Sequence, residues 1–136
     1  MIKRHRRFSV WQKAMELTEH IYLFTQLLPS EEKFGLTSQL RRCSVSIPSN
    51  IAEGASRHSD KEFLRFLNIA KGSLAELETQ IILCSRLYNL NWDFDQTQRI
   101  IEDVFALNEA LRSKLLRSMN SQASSIQLQA SSEKQI

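Results

Sequence analysis

The sequence predicts an all-α protein that folds as an antiparallel, up-down-up-down four-helix bundle. The 136 residues include only three Gly and two Pro. Nearly all apolar residues recur at spacings of three and four, the period of a helix, rather than alternating as they do in a strand. Short turn-like segments separate four such stretches, and short connections require consecutive helices to be antiparallel.

The first helix is expected to begin at Ser9 and to run to about Leu28. Ser9, with Gln12 three residues later, has the spacing of a capping box. The apolar residues on its core side follow a 4-3-4-3-4 spacing. They are Val10, Ala14, Leu17, Ile21, Phe24 and Leu28. A turn over residues 29–32 then leads to the second helix.

The second helix, over residues 36–54, has two distinct stripes. The apolar stripe consists of Leu36, Leu40, Cys43, Ile47 and Ile51, and the polar stripe of Gln39, Arg42, Ser46, Asn50 and Glu53. Pro48 lies inside this helix and removes the amide that would bond to the carbonyl of Ser44, so a kink or a break is expected there. Gly54 is expected to end the helix in the left-handed conformation.

The third helix has the most regular pattern in the chain. Ser59 and Glu62 form a strong capping box before it. Its seam follows a 4-3 spacing for more than three heptads. The seam residues are Phe63, Leu67, Ala70, Leu74, Leu77, Ile81, Cys84 and Tyr88. Gly72 and Ser73 interrupt this helix with small residues, which suggests the close approach of a neighbouring helix.

The fourth helix is expected to begin after Asp93, which can cap it, and its apolar pattern fades near Arg117. Ser, Gln, Ala and Lys dominate from Met119 onward, so the end of the chain is predicted to be a disordered polar tail. The chain thus divides into a basic arm (residues 1–8), a four-helix bundle (9–118) and the tail (119–136).

Composition and charge restrict the class of protein. The net charge is +3, and Lys3, Arg4, Arg6 and Arg7 place four positive charges in the arm. Such an arm is either a phosphate-seeking tail or a solvated terminus. Two cysteines on apolar seams are expected to be free buried thiols in a reducing compartment. With no apolar run long enough to span a bilayer, a cytoplasmic protein is expected.

Residue patterns for catalysis are missing from the sequence. It contains no Gly-rich phosphate loop, nucleophile elbow or paired cysteine motif. His20 follows Glu16 by one helical turn but lacks the further ligands of a bundle metal site, so it is interpreted as a surface histidine. Enzymatic activity and a cofactor are therefore not expected.

Several polar residues remain as candidates for binding. Arg41, Arg42, Arg57, His58 and Lys61 form either a basic patch or a solvated face. The polar stripe could hold a ligand or form a helix–helix or subunit network, since buried polar groups need partners.

Helix register and surplus apolar residues point to how these faces are used. If helices two and three form a hairpin, Arg42 lies level with Glu76 and the two can form an ion pair. Apolar residues off the seams indicate a homo-oligomer, because they would be exposed in a monomer. They are Trp11, Leu23, Phe66, Ile69, Ile82 and Leu83.

Four stretches of the chain carry a family resemblance. They are WQKA (11–14), FGLTSQLRR (34–42), SIPSNIAEG (46–54), and EF (62–63) with AKGSLAELET (70–79). These stretches resemble the bacterial four-helix bundle proteins first described as products of intervening sequences in 23S ribosomal RNA genes. The resemblance covers about residues 8–115.

The resemblance implies a left-handed antiparallel bundle assembled as a homopentamer. Members of the nearer group have no established activity. A distantly similar group serves as accessory proteins to the reverse transcriptases of diversity-generating retroelements and binds both the enzyme and RNA through basic surfaces. The matching signature positions are expected to have structural or subunit-interface roles. They are Arg42, Ser46, Asn50, Glu53, Gly72, Ser73 and Glu76.

Two functional hypotheses follow. In the first, a non-enzymatic homo-oligomer, expected to be a pentamer, acts as a nucleic-acid-binding accessory protein for RNA, a reverse transcriptase or both. The alternative is a protein–protein scaffold with no nucleic-acid role. The residues expected to contact nucleic acid are Lys3, Arg4, Arg6, Arg7, Arg41, Arg57 and Lys61.

Overall fold

The structure is a computed structural model that describes residues 4–134, and these residues form an all-α four-helix bundle. Helix α1 spans Ser9–Thr25, α2 spans Leu36–Ala55, α3 spans Asp60–Leu87 and α4 spans Phe94–Lys134. Short 3-10 helices lie at Arg4–Arg7 and Ser30–Glu32. The described residues contain no strand, which confirms the predicted fold class.

Contacts between neighbouring helices run in reversed sequence order, as an antiparallel bundle requires. Between α1 and α2, Thr18 lies opposite Ser44, and Thr25 lies opposite Arg41. Every other neighbouring pair shows the same reversal. The contacts are Ser46–Ser73 and Cys43–Glu76 for α2 and α3, Asn108–Leu67 and Gln98–Glu78 for α3 and α4, and Lys13–Asp103 and His20–Thr97 for α1 and α4.

The core consists of the seams that the sequence spacing predicts. On α3, every seam residue from Phe63 to Cys84 is buried, and Tyr88 is half-buried. The corresponding residues of α1 and α2 are also buried, apart from Leu36, which is half-buried. Burial of apolar surface at roughly 25 cal/mol per Å² is the main source of stability for such a bundle.

Two of the three predicted helix caps are confirmed. Ser59 accepts a hydrogen bond from the amide of Glu62 at 3.1 Å, and Asp93 accepts one from the amide of Gln96 at 3.0 Å. The predicted cap at Ser9 is wrong.

At this end of α1, the residue before the helix is Phe8, and it makes no side-chain cap. The Gln12 side chain instead donates to the carbonyl of Arg6 at 2.9 Å. The reason is that the arm forms its own 3-10 helix directly before α1, so Ser9 is already helical.

Helix α2 continues through Pro48 without a break. The carbonyl of Ser44, which Pro48 leaves without its helical amide, accepts a hydrogen bond from the Thr18 hydroxyl at 2.9 Å. A polar group of the neighbouring helix therefore compensates for the proline, which the sequence of α2 alone does not reveal.

Gly54 does not end α2 in the left-handed conformation, because no glycine in the described residues has a positive φ. It is buried in the last turn of α2, against the first turns of α3. A Cβ atom at this position would meet Phe63 Cδ1 and Phe66 Cβ, both at 2.8 Å. Close helix packing, rather than backbone conformation, explains this glycine.

The end of the chain differs from the predicted disordered tail. Helix α4 continues to Lys134, so residues 119–134, here called the overhang, are helical. The chain has no Gly or Pro after Gly72, so nothing in its sequence interrupts the helix. Leu115 is the last buried residue of α4, and residues 120–133 are exposed. Residues 135 and 136 lie outside the described residues.

Candidate functional site

The basic arm folds against the end of α2. The 3-10 helix Arg4–Arg7 places the Arg4 guanidinium 3.3 Å from the carbonyl oxygen of Ala55, to which it donates a hydrogen bond. The same guanidinium lies 5.2 Å from the centre of the Phe63 ring and 5.8 Å from that of Phe8. Aromatic faces and the negative end of a helix both attract cations, so these contacts hold the arm in place.

The turn between α2 and α3 brings further basic residues to this end of the bundle. Arg57 forms an ion pair with Glu53 and lies over the Phe66 ring at 5.1 Å. Arg65, four residues after Lys61, covers the same ring at 5.4 Å. Phe66 is therefore half-buried under two guanidinium groups rather than freely exposed.

Five of the predicted nucleic-acid residues thus meet at one end of the molecule. This surface, here called the basic end, consists of Arg4, Arg6, Arg7, Arg57 and Lys61. Arg6, Arg7 and Lys61 are exposed and form no ion pair with any residue in the range 4–134. Their charges are free to attract an anion. Lys3, also predicted for this surface, lies outside the described residues.

Sequence reasoning missed Arg65 as a member of this surface. The available signal was its position one helical turn after Lys61, which places both side chains on the same face of α3. Its pairing with Glu62 at 3.4 Å reduces its charge. Arg65 therefore contributes less free positive charge than Lys61 does.

Arg41 does not belong to the basic end, contrary to a single basic patch with Arg57 and Lys61. It lies near the start of α2, about 24 Å along the chain direction from Arg57 at 1.5 Å per residue. Its Nε donates to the Thr25 hydroxyl at 2.9 Å, and its guanidinium covers the Tyr22 ring at 4.7 Å. Arg41 links α1 to α2.

A polar groove runs between α2 and α3 in the middle of the bundle. It has a volume of about 340 Å³. Its lining includes four of the signature residues, and the full set is Gln39, Arg42, Cys43, Ser46, Ser73, Glu76 and Gln80. Ser46 and Ser73 are joined by a hydroxyl–hydroxyl hydrogen bond of 2.7 Å, and Asn50 donates to the Ser46 carbonyl at 2.7 Å. The predicted polar stripe is therefore partly a helix–helix hydrogen-bond network.

The expected ion pair between Arg42 and Glu76 does not form within the described chain. Both side chains are exposed and line the groove, but no bond within 4.0 Å joins them. Glu53 is directed to Arg57 instead of the groove. Gly72, at an exposed position of α3, has open space where a Cβ would lie, so no helix of its own chain approaches it closely.

The thiol of Cys43 lies on the floor of the groove, but its chemistry is suppressed. It donates to the carbonyl of Ser73 at 3.0 Å and lies 3.9 Å from a carboxylate oxygen of Glu76. Burial, with the Glu76 charge, raises the pKa of Cys43 to about 11. A thiol with so high a pKa is a poor nucleophile and metal ligand near neutral pH.

His20 is half-buried rather than a surface histidine. Its Nε2 lies 2.7 Å from the hydroxyl oxygen of Thr97, which also accepts a hydrogen bond from the Trp92 indole at 2.8 Å. Burial lowers the pKa of His20, and the charge of Asp93 partly opposes this effect. The cluster holds the α3–α4 turn against α1.

Neither a metal centre nor a membrane span is found over residues 4–134. No three His, Cys, Asp or Glu side chains there are grouped so as to hold a metal ion. No helix in that range combines the length and apolar character needed to cross a bilayer.

Several apolar side chains lie on the outer faces of the helices. Their exposed fractions are large enough to indicate an interface. They include Met15, Tyr22 and Leu23 on α1, Val45 on α2, and Ile69, Ile82 and Leu83 on α3. Trp11 and Phe66, also predicted to be exposed, are half-buried.

Comparison with known proteins identifies one family and one related structure. A family profile described as "23S rRNA-intervening sequence protein" matches residues 6–113. A crystal structure of a protein of unknown function from the S23 ribosomal protein family of Bacteroides thetaiotaomicron VPI-5482 superimposes with a TM-score of 0.62. The two sequences are 29% identical, and the match covers 78% of this chain and 94% of the other. No curated protein matches the chain.

Proposed function

The chain belongs to the 23S rRNA-intervening sequence protein family, and from this premise we propose that it is a non-enzymatic, homo-oligomeric nucleic-acid-binding accessory protein. Its ligands are RNA, a reverse transcriptase or both, it acts in the cytoplasm, and its oligomer is a pentamer. The observation that carries this proposal is the basic end, where the arm and the α2–α3 turn bring five basic residues together.

Electrostatics supports RNA over a neutral ligand at this surface. Arg6, Arg7 and Lys61 are exposed and free of ion pairs in the described chain, whereas Arg4 and Arg57 are held by aromatic rings. Phosphate groups release counterions when such residues bind them, and this release drives association. The contacts of Arg4 keep the arm folded, so the surface is preorganised.

The test is RNA binding by the full-length protein over a salt series, with a fluorescein-labelled structured RNA as the probe. The first variant reverses three charges at the basic end (R6E, R7E and K61E). The control variant reverses three exposed charges near the opposite end (K33E, R86E and R99E), which changes the net charge by the same amount.

We expect the basic-end variant to lose affinity and its salt dependence to flatten by about 0.7 to 0.9 logarithmic units per lost phosphate contact. The control variant should bind nearly as the native protein does. Equal losses in both variants would mean that only net charge matters, and no binding at low salt would leave the scaffold function in front. A version lacking residues 1–7 adds a test of the arm itself.

A second function, a protein–protein scaffold without nucleic acid, is favoured by the polar groove. Arg42 and Glu76 carry opposite charges at its rim and have no ion-pair partner in the described chain. The open position at Gly72 leaves room for the close approach of another helix. In this function the groove is a subunit interface, and Arg42 of one copy pairs with Glu76 of the next.

Charge exchange tests the scaffold function. The single variants R42E and E76R should each dissociate the oligomer, because each places like charges across the interface. The double variant R42E/E76R should restore the native mass, measured by light scattering or native mass spectrometry. Single variants that keep the native mass would remove the groove from the subunit interface.

A further inference from the structure

The overhang (residues 119–134) lies beyond the family match and has no packing partner in the described chain. The match ends at residue 113, while α4 continues to Lys134 with residues 120–133 exposed. Six serines occur in the range 118–132, and serine is a weaker helix former than alanine by several tenths of a kcal/mol. Short helices of this kind depend on packing for their stability.

One side of the overhang carries a regular apolar stripe. At about 100° per residue, its members fall within an arc of roughly 80°. They are Leu116, Met119, Ala123, Ile126 and Ala130. The spacing is 3-4-3-4, and the stripe extends the line of the α4 core face past the end of the bundle. Leu128 lies on the opposite side of the helix.

Residues 118–132 also contain no charged side chain, so an apolar surface with few charges is the partner that suits them. The outer face of α1, here called the α1 face, has that character. It forms an apolar depression of about 420 Å³ lined by Met15, Thr18, Glu19, Tyr22, Leu23 and Gln26. Glu19 is its only charged residue.

Length, shape and charge of the two surfaces agree. The α1 face extends over 11 residue steps, from Met15 to Gln26, and the stripe from Met119 to Ala130 extends over the same number. Alanines in the stripe allow close approach to the bulky Tyr22 of the α1 face. The exposed Arg117, at the base of the overhang, complements the negative charge of Glu19.

The overhang cannot reach the α1 face of its own chain. Ala110 of α4 lies level with Ser9, at the start of α1. The overhang therefore begins about 13 Å beyond that level and points away from α1. A continuous helix without Gly or Pro does not fold back, so the partner has to be another molecule.

We infer that the overhang of one copy packs along the α1 face of a second copy of this chain. The contact uses no residue of the basic end, so it is independent of RNA binding. It provides a helix-in-groove contact between subunits for a segment that the family match does not include.

The test uses a photo-crosslinking amino acid, benzoylphenylalanine, in the full-length protein. It replaces Ile126 on the stripe in one protein and Leu128 on the opposite side in the other. These two residues have similar exposed fractions of 66% and 72%. Each protein is mixed and refolded with ¹⁵N-labelled native chain, and the crosslinked peptides are mapped by mass spectrometry.

The expected result is crosslinking from position 126 to residues 15–26 of the labelled copy, with at least a fivefold lower yield from position 128. L23D in the receiving copy should abolish the crosslink, whereas L87D should not, since Leu23 and Leu87 are 59% and 61% exposed. Crosslinks from one overhang to another, crosslinks confined to one copy, equal yields from both positions, or no crosslink would each overturn the inference.

Discussion

The hydroxyl of Thr18 on α1 donates a hydrogen bond of 2.9 Å to the carbonyl of Ser44 on α2. That carbonyl lacks its helical amide because Pro48 stands four residues later. Ser44 is fully buried, so without Thr18 its carbonyl would have neither a helical partner nor water. The contact explains how a proline is accommodated inside a helix that lines the core.

Replacement of Thr18 by Val should therefore destabilise the protein. Valine keeps the shape of the side chain but removes the donor, and an unsatisfied buried carbonyl costs about 1 to 3 kcal/mol. At about 4 °C per kcal/mol for a domain of this size, thermal unfolding should detect the change.

A second substitution tests the cause of this loss. P48A returns a helical amide to Ser44, so T18V should cost less in the P48A background than in the native protein. Additive effects of T18V and P48A on the free energy of unfolding would show that Thr18 does not compensate for the proline.

The two thiols should resist modification in the folded protein. Burial raises the pKa of Cys43 and of Cys84 to about 11 in each case, with the charge of Glu76 contributing at Cys43 and that of Glu32 at Cys84. At pH 8 roughly one thiol in a thousand is then a thiolate, the reactive form.

Labelling with a thiol-specific chromogenic disulfide should accordingly be slow under native conditions and complete for both residues in guanidinium chloride. C43S and C84S assign any fast phase to one position. Fast stoichiometric labelling of the native protein would contradict the burial of these side chains.

Helix periodicity predicted the parts of the fold that depend on one helix at a time. The α3 seam from Phe63 to Cys84 and the caps at Ser59 and Asp93 follow from local spacing and are confirmed. Antiparallel order also followed, because short connections permit few arrangements. The assignment of Arg42 and Ser73 to the same level of adjacent helices came from this order as well.

Features that depend on two helices were not predictable from spacing. The support of Ser44 by Thr18 joins residues 26 positions apart, and the tight site at Gly54 arises only where α2 meets Phe63. Arg41 and Arg57 were grouped because both are basic and near in sequence, but a helix of 20 residues separates them. Helix α4 continues past Leu115 because local propensity, not core packing, decides where it ends.

The stability of the protein should depend on pH through His20. Burial lowers the pKa of this residue below the ordinary value of 6.5, so the unfolded chain binds the proton more tightly than the folded protein does. This contribution to stability is complete above about pH 6.5 and is lost as the pH falls towards the lower pKa of the folded state.

Chemical unfolding between pH 5 and pH 8 measures this dependence. H20Q keeps a polar partner for Thr97 but cannot titrate, so it should flatten the curve over that range. The matched control is H58Q, because His58 is exposed. A curve that responds equally to H20Q and H58Q would exclude His20 as the source.

Substitution of two helical glycines by alanine should have opposite effects on stability. A Cβ added at Gly72 would have no atom of its surroundings within 4 Å, so G72A should stabilise an isolated chain by about 1 kcal/mol through helix propensity. At Gly54 a Cβ would lie 2.8 Å from Phe63 Cδ1 and from Phe66 Cβ. G54A should therefore destabilise the protein by about 1 to 3 kcal/mol, because one of the contacting atoms is close to the backbone and cannot move freely.

Measurement of both unfolding and native mass separates the two possible reasons for Gly72. If its open side receives another subunit, G72A should weaken the oligomer while it raises the stability of the dissociated chain, since the added methyl group prevents close helix approach. A fully stabilised oligomer of unchanged affinity would mean that no helix approaches this position. Destabilisation of the dissociated G72A chain would contradict the open space at this position, and an unchanged G54A variant would contradict the tight packing of α2 against α3.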